Sequence, residues 1–150
     1  HYTTSMYLPD GEEKDDAGHR SSKHWKERVA FVGKPFQPAS PLSGPLAVSL
    51  TFFFHAPQYV IEWVERGKMQ LPCLRPNGPD FDNLAKAVAD SLTVAGWWHD
   101  DKQIAFPLVP KYWIAHDQSE GVQIDVWHLP QPVEPQMHLS RLLDAQPPAS

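Results

Sequence analysis

The sequence contains a single cysteine, Cys73, among 150 residues. One thiol excludes an internal disulfide and favours a reducing compartment such as the cytoplasm. Long apolar runs are missing as well, since the longest is only a handful of residues, which excludes a membrane-spanning helix. No signal-peptide pattern opens the chain. The first residue is His1 rather than methionine, as expected of a fragment or of a chain that lacks its head.

A net basic charge is also lacking, because the formal charge is −5. The distribution of charge matters more than its sum for a nucleic-acid partner. Residues 80–101 contain five aspartates against one lysine, whereas residues 19–34 contain five basic residues against one glutamate. The other acidic excesses lie in 1–18 and 117–150. The acidic total therefore does not exclude DNA, since two divalent cations would cancel the excess in 80–101.

The length and composition predict one folded domain with many loops. A chain of 150 residues supports one ordinary core, and 16 prolines interrupt its regular elements. We expect a polar acidic lead over 1–18, a folded domain over 19–129 and a Pro-rich tail over 130–150. The fold class predicted is α+β: a small mixed β-sheet with helices packed against it.

Hydrophobic periodicity supplies the elements of that fold. The clearest strand is "LAVSLTFFF", in which alternate side chains are large and apolar. Two prolines, Pro107 and Pro110, are expected to make the following strand region an edge or to break it. The predicted elements are a helix over 20–31, a strand over 46–54, a short helix over 58–66, a loop over 67–79, a helix over 82–95, a strand over 103–116, a hairpin loop at 117–121 and a returning strand around 122–126.

The segment "PDFDNLAKAVADSL" followed by "WWHDD" holds the acidic patch. Asp82 suits the N-cap of the predicted helix, and Gly96 suits the left-handed residue after its end. Asp80 and Asp82 leave an extended segment on the same side, since side chains alternate along it. A compact return of the chain would bring Asp101 near the start of the helix. The acids are therefore either a cap and a solvated turn, or ligands of a metal.

Carboxylates without histidine or cysteine select hard cations such as Mg²⁺ or Mn²⁺. Two such ions activate a water and stabilise the leaving oxygen of a phosphodiester. Lys86, one turn after Asp82, is placed to hold a carboxylate or to neutralise a phosphate. The alternative is an ordinary ion pair of Lys86 with Asp82 or Asp90. A zinc site is disfavoured, because His19 and His24 lack a suitably spaced partner.

The stretch "PDFDNLAKAVADSLTVAGWWHDDKQI" resembles the signature of RusA-type Holliday junction resolvases. The resemblance implies a homodimeric, Mg²⁺-dependent endonuclease that acts on branched DNA in bacterial or phage-infected cytoplasm. It implies that Asp80, Asp82 and Asp101 are the catalytic metal ligands and that Lys86 is the catalytic lysine. Asp100 is the less certain member of its pair.

The chain departs from the family pattern in two places. Members often carry a basic run just before the first aspartate, where this chain has "RPNGPD" with only Arg75 nearby. Members also usually open with a strand and a basic loop, for which the sequence shows no clear counterpart. Basic residues dominate nucleic-acid affinity, so the candidates for phosphate contact are Arg20, Lys23, Lys26, Arg28 and Arg75.

Three alternative functions remain open at this point. The first is an inactive relative that binds branched DNA. The second is a metal-dependent nuclease with another substrate, and the third is an acidic interaction module without activity. Cleavage of a four-way junction, competition with linear duplex and saturable Mn²⁺ binding separate these alternatives.

Overall fold

The computed structural model describes residues 1–7 and 22–130. This part of the chain forms one six-stranded mixed sheet with three α-helices, which confirms the α+β prediction. In chain order the elements are β1 (Tyr2–Tyr7), α1 (Ser22–Gly33), β2 (Leu46–His55), α2 (Gln58–Glu65), β3 (Cys73–Leu74), α3 (Phe81–Ala95), β4 (Ile104–Leu108), β5 (Lys111–Ile114) and β6 (Gly121–His128), with short 3₁₀ turns at Lys34–Phe36 and Asp101–Gln103.

Strand β2 is the centre of the sheet. It pairs antiparallel with β6 on one side and parallel with β4 and β5 on the other. Its alternating pattern buries Leu46, Val48, Leu50 and Phe52 almost completely, as predicted for a half-buried strand. These side chains face the layer formed by α1 and α3.

The predicted break in the strand after α3 is confirmed. Strand β4 pairs with the first half of β2, and β5 pairs with the second half. Between them, the carbonyl of Pro110 accepts a hydrogen bond from Phe52 N at 2.9 Å. Pro107 and Pro110 contribute no N–H to a ladder, so the break falls where proline is tolerated.

The predicted hairpin at 117–121 is wrong, because β2 lies between β5 and β6. The connecting loop crosses the end of β2 and is held there by His55. The backbone N–H of His55 donates to Glu120 Oε1 at 2.8 Å, and its ring Nε2 lies 2.6 Å from Gln118 O. Since Ala56 N also donates to Ile114 O, the chain is fastened to the strand that it passes over.

The expectation of a loop at the start of the chain is wrong for residues 2–7. These residues form β1, which pairs antiparallel with β6 from Tyr2 opposite Val126 to Tyr7 opposite Gly121. The sequence analysis found no clear counterpart of an opening strand, and β1 provides a strand at this position. The rest of the predicted lead, 8–18, and the tail from 131 onward lie outside the described residues.

Two apolar clusters hold the described part together. The larger joins the inner face of the sheet to Val29 of α1, to Val88 and Leu92 of α3, and to Trp97 and Trp98 after α3. The smaller surrounds Trp113 and contains the predicted helix α2, which is confirmed, and the short strand β3, which the sequence analysis placed in a loop. No helix within residues 1–7 and 22–130 is long and apolar enough to cross a membrane.

Candidate metal and nucleic-acid site

The first acidic pair lies at the amino terminus of α3. The N-cap is Asp80, two residues before the predicted Asp82, and the helix begins at Phe81 rather than at residue 82. Asp80 has extended backbone angles, and its side chain makes no capping hydrogen bond. Asp82 lies in the first turn and accepts from Asn83 N at 3.0 Å. Both carboxylates are exposed and benefit from the positive end of the helix dipole.

Lys86 is exposed one helical turn after Asp82, on the side of α3 away from the core. The buried face of the same helix consists of Val88, Ala89, Ser91 and Leu92. The 3.6-residue period therefore separates the charged stripe from the apolar one, as the sequence predicted. The helix ends at Gly96 with φ +88°, which confirms the predicted left-handed cap.

The second acidic pair lies in a capped turn beyond the other end of α3. Asp100 Oδ1 accepts from Lys102 N at 2.9 Å. This hydrogen bond is the main cause of a lowered pKa for Asp100; weak burial opposes it, and contact with Asp101 and the charge of Lys102 reinforce it. Asp100 is thus committed to the backbone, whereas Asp101 begins the 3₁₀ turn with an exposed side chain.

Gln103 organises this turn, and the sequence analysis missed it. Its Oε1 accepts from the backbone N–H groups of His99 and Asp100, at 2.8 and 2.9 Å. Its Nε2 donates to Leu42 O and Gly44 O, which fastens the turn to the segment before β2. The available signal was an N-cap aspartate with glutamine three residues later, the pattern of a capping box.

The two acidic pairs do not meet within one chain. Helix α3 has 15 residues, and a rise of about 1.5 Å per residue makes it about 22 Å long. The pairing of the sheet agrees with this length. Asp101 lies beside Ile104, opposite Leu46, whereas the segment before Asp80 is bound to Lys111, opposite Phe52. Six strand residues separate those two levels, which is about 20 Å.

The positions of the other possible ligands agree with this separation. Among the described residues, no three His, Cys, Asp or Glu side chains converge as ligands of one ion. The expected return of Asp101 to the start of α3 therefore does not occur within a single chain. The roles of Asp80, Asp82, Asp101 and Lys86 stay predictions.

The candidate DNA contacts have different surroundings. Arg28 is exposed on α1, and Lys23 and Lys26 fall in the first turns of that helix. Arg20 lies outside the described residues. The guanidinium of Arg75 instead lies over the rings of Phe54 and Trp113, 4.5 and 4.2 Å from their centroids. Burial lowers the pKa of Arg75, while Tyr59 and Glu120 act in the opposite direction.

Fold and site together define the class of protein. It is an α+β protein in which exposed carboxylates lie at both ends of one helix that packs on a mixed sheet, and the same helix carries an exposed lysine. The chain belongs to the RusA endodeoxyribonuclease family: the family profile, described as Endodeoxyribonuclease RusA, matches residues 6–126. Membership implies nuclease activity of the Holliday junction resolvase kind. A relative in Bacillus subtilis (strain 168), the uncharacterized protein YqaN, is 29% identical over 101 residues, which are 66% of this chain and 70% of that protein.

Proposed function

We propose that the protein is a Mg²⁺-dependent endonuclease that cleaves DNA at four-way junctions in recombination and repair, and that it acts as a homodimer. Membership of the RusA family supports the reaction class. The observation that carries the proposal is the state of Asp80. Its carboxylate occupies the N-cap position, yet it is exposed and makes no capping hydrogen bond. An aspartate in that position usually caps its helix, so this carboxylate is left for a ligand.

The carboxylates of Asp80, Asp82 and Asp101 are ligands of the type that a hard cation prefers, but within one chain they lie too far apart to bind one ion together. Mg²⁺ takes oxygen ligands at about 2.0–2.1 Å, so two carboxylate oxygens on one ion lie about 4 Å apart or less. Asp80 and Asp82 are both exposed and lie two residues apart at the start of α3, so rotation of their side chains would let them share an ion. Asp101, about 20 Å away along the sheet, lies too far from them to bind the same ion. We therefore propose that Asp80 and Asp82 share an ion with Asp101 of the partner subunit.

A two-fold dimer satisfies this arrangement twice. If one Asp101 reaches the Asp80 end of the other chain, symmetry places the second Asp101 at the second Asp80. Two equivalent sites then face two strands of the junction, which symmetric cleavage requires. Mg²⁺, or Mn²⁺ in its place, would supply positive charge for the transition state of phosphodiester hydrolysis.

The remaining roles belong to side chains of the protein. Lys86 is one turn from Asp82 and places its ammonium charge at the same end of α3, where it stabilises charge on the phosphate. The basic run containing Lys23, Lys26 and Arg28 contacts the DNA backbone. Each such contact adds affinity that falls as the salt concentration rises.

Cleavage of a labelled synthetic four-way junction tests the proposal. The wild-type protein is expected to cut the junction in Mg²⁺, to spare linear duplex of the same sequence and to lose activity in EDTA. The Asp82→Asn variant should bind the junction and leave it intact. Equal cleavage by that variant would refute the assigned role of Asp82, and equal cleavage of linear duplex would refute the junction specificity.

A further inference from the structure

Residues 75–79, which directly precede Asp80, form three hydrogen bonds with one residue of the sheet, Lys111. Lys111 of β5 accepts a hydrogen bond from Arg75 N at 2.8 Å through its backbone carbonyl. Its side-chain Nζ donates to Asn77 O at 3.3 Å and to Pro79 O at 3.1 Å. Because Lys111 pairs with Phe52 of β2, its hydrogen bonds link both ends of the segment to the central strand.

The side chain of Arg75 closes the same segment from the other side. Its guanidinium lies over the rings of Phe54 and Trp113, and its buried Nε has no hydrogen-bond partner among the described residues. A Cβ at Gly78 would lie 1.8 Å from Arg75 Nη2, so the backbone of the segment rests directly on the guanidinium. Gly78 also has φ +88°, a conformation that other residues rarely adopt.

These contacts fix the position of the backbone at Asp80 relative to the sheet. Pro79 O is bound to Lys111, and the next residue is Asp80, whose own carbonyl accepts the first helical hydrogen bond from Leu84 N at 3.2 Å. Arg75 and Lys111 are half-buried, and their side chains make intramolecular contacts with rings and carbonyls. A phosphate would have to compete with those contacts to bind either cation.

We propose that Arg75 and Lys111 are positioning residues, which clamp the segment 75–79 and thereby place Asp80 and Asp82 for a divalent cation, and that neither contacts DNA. The inference rests on the proposed function for the identity of that cation. It assigns a role to Lys111, and it replaces the phosphate contact that the sequence suggested for Arg75.

Two substitutions test the clamp while leaving the carboxylates in place. Lys111→Met removes the ammonium group but keeps a long apolar stem, and Arg75→Lys keeps the charge but removes the planar group that lies over the two rings. Loss of groups that orient metal ligands typically lowers metal affinity or activity about 10- to 100-fold. We expect a fall of that size in Mn²⁺ affinity, measured calorimetrically without DNA, and recovery of most of the affinity in Lys111→Arg.

DNA binding in EDTA separates positioning from phosphate contact. The junction Kd and its salt dependence are expected to be unchanged in Lys111→Met and Arg75→Lys. In Arg28→Gln, by contrast, the salt slope should fall by about 1, as for the loss of one phosphate contact. Lys68→Met, at an exposed lysine beyond α2, is the matched control and should change neither quantity. A reduced salt slope in the Arg75 or Lys111 variants, with Mn²⁺ affinity intact, would overturn the proposal.

Amide hydrogen exchange keeps the two proposals distinguishable. The amides of Arg75 and Leu84, which donate to Lys111 O and Asp80 O, should exchange at least about tenfold faster in Lys111→Met while the core of β2 stays protected. If the wild-type protein neither binds Mn²⁺ nor cuts the junction, the proposed function fails but the exchange result still tests the clamp. Unchanged exchange in a folded Lys111→Met or Arg75→Lys protein would refute the clamp by itself.

Discussion

Subunit complementation gives the sharpest test of a site shared between two chains. Consider a heterodimer with Asp80→Asn in one chain and Asp101→Asn in the other. If each site takes Asp80 from one chain and Asp101 from its partner, both lesions fall in one site and the second site is intact. If each chain carries a complete site, both sites are defective and no activity returns.

The size of the effect follows from the length of α3. About 22 Å separates the two ends of the helix, whereas oxygens on one ion lie about 4 Å apart or less. A single chain therefore cannot bridge the gap by changing side-chain rotamers. With one of two symmetric sites intact, the heterodimer should nick the junction at about half of the wild-type rate. It should yield a nicked junction rather than two resolved duplexes.

The assay uses two affinity tags to isolate the heterodimer after co-expression. Strand-specific labels on the junction then distinguish one nick from two. The matched control combines Asp80→Asn with Asp82→Asn, which damages both shared sites and should restore nothing. An Asp80→Asn/Asp101→Asn heterodimer as inactive as its two parent homodimers would refute the shared site.

Three further predictions concern the scaffold around the site. Leu92 is fully buried against the sheet, so Leu92→Ala should lower the free energy of unfolding by about 2–5 kcal/mol in urea titrations, and a change below that range would contradict its central place in the core. Gly96→Ala meets no neighbour within 4 Å but must adopt φ +88°, so calorimetric melting should show a loss of about 1–2 kcal/mol from backbone strain alone. The pKa of Asp100 in the folded protein is lowered, so this carboxylate stabilises the turn fully above its ordinary pKa of 3.8, and the stabilisation is lost as pH falls through the lowered value. The NMR shift of the Lys102 amide should therefore titrate with a midpoint below 3.8. A midpoint at or above that value would contradict the capping contact.

The local elements were predictable because their signals are local. Strand β2 alternates large apolar side chains, and α3 carries an apolar stripe that ends at Gly96. Helix α2 follows Pro57 and ends just before Gly67, so its limits were readable as well. In each case the residues that define the element lie within a few positions of one another, which is the range in which periodicity and stop signals act.

The arrangement of the strands was not predictable in the same way. Sequence order suggested that β5 and β6 form a hairpin, but β2 takes the place between them. Strand β1 is polar in pattern and becomes a strand because β6 offers it a free edge. Tertiary pairing decides such cases, since β-propensity depends strongly on neighbours. Contacts such as Lys111 to Pro79, 32 residues apart, leave no local signal.

The two carboxylates of each acidic pair differ in their hydrogen bonds to the backbone. In the turn after α3, the Asp100 side chain caps Lys102 N and the Asp100 N–H is held by Gln103, whereas the Asp101 side chain is exposed. At the start of α3 the pattern is repeated in a weaker form, because Asp82 accepts from Asn83 N while Asp80 leaves its carboxylate without a capping bond. The cap that the sequence assigned and the metal ligand that we propose thus fall on neighbouring residues. In each pair one carboxylate accepts a hydrogen bond from the backbone, and for the other the structure gives no such bond. The length of α3 sets the separation of the two pairs, and this is the distance that the proposed second chain would have to span.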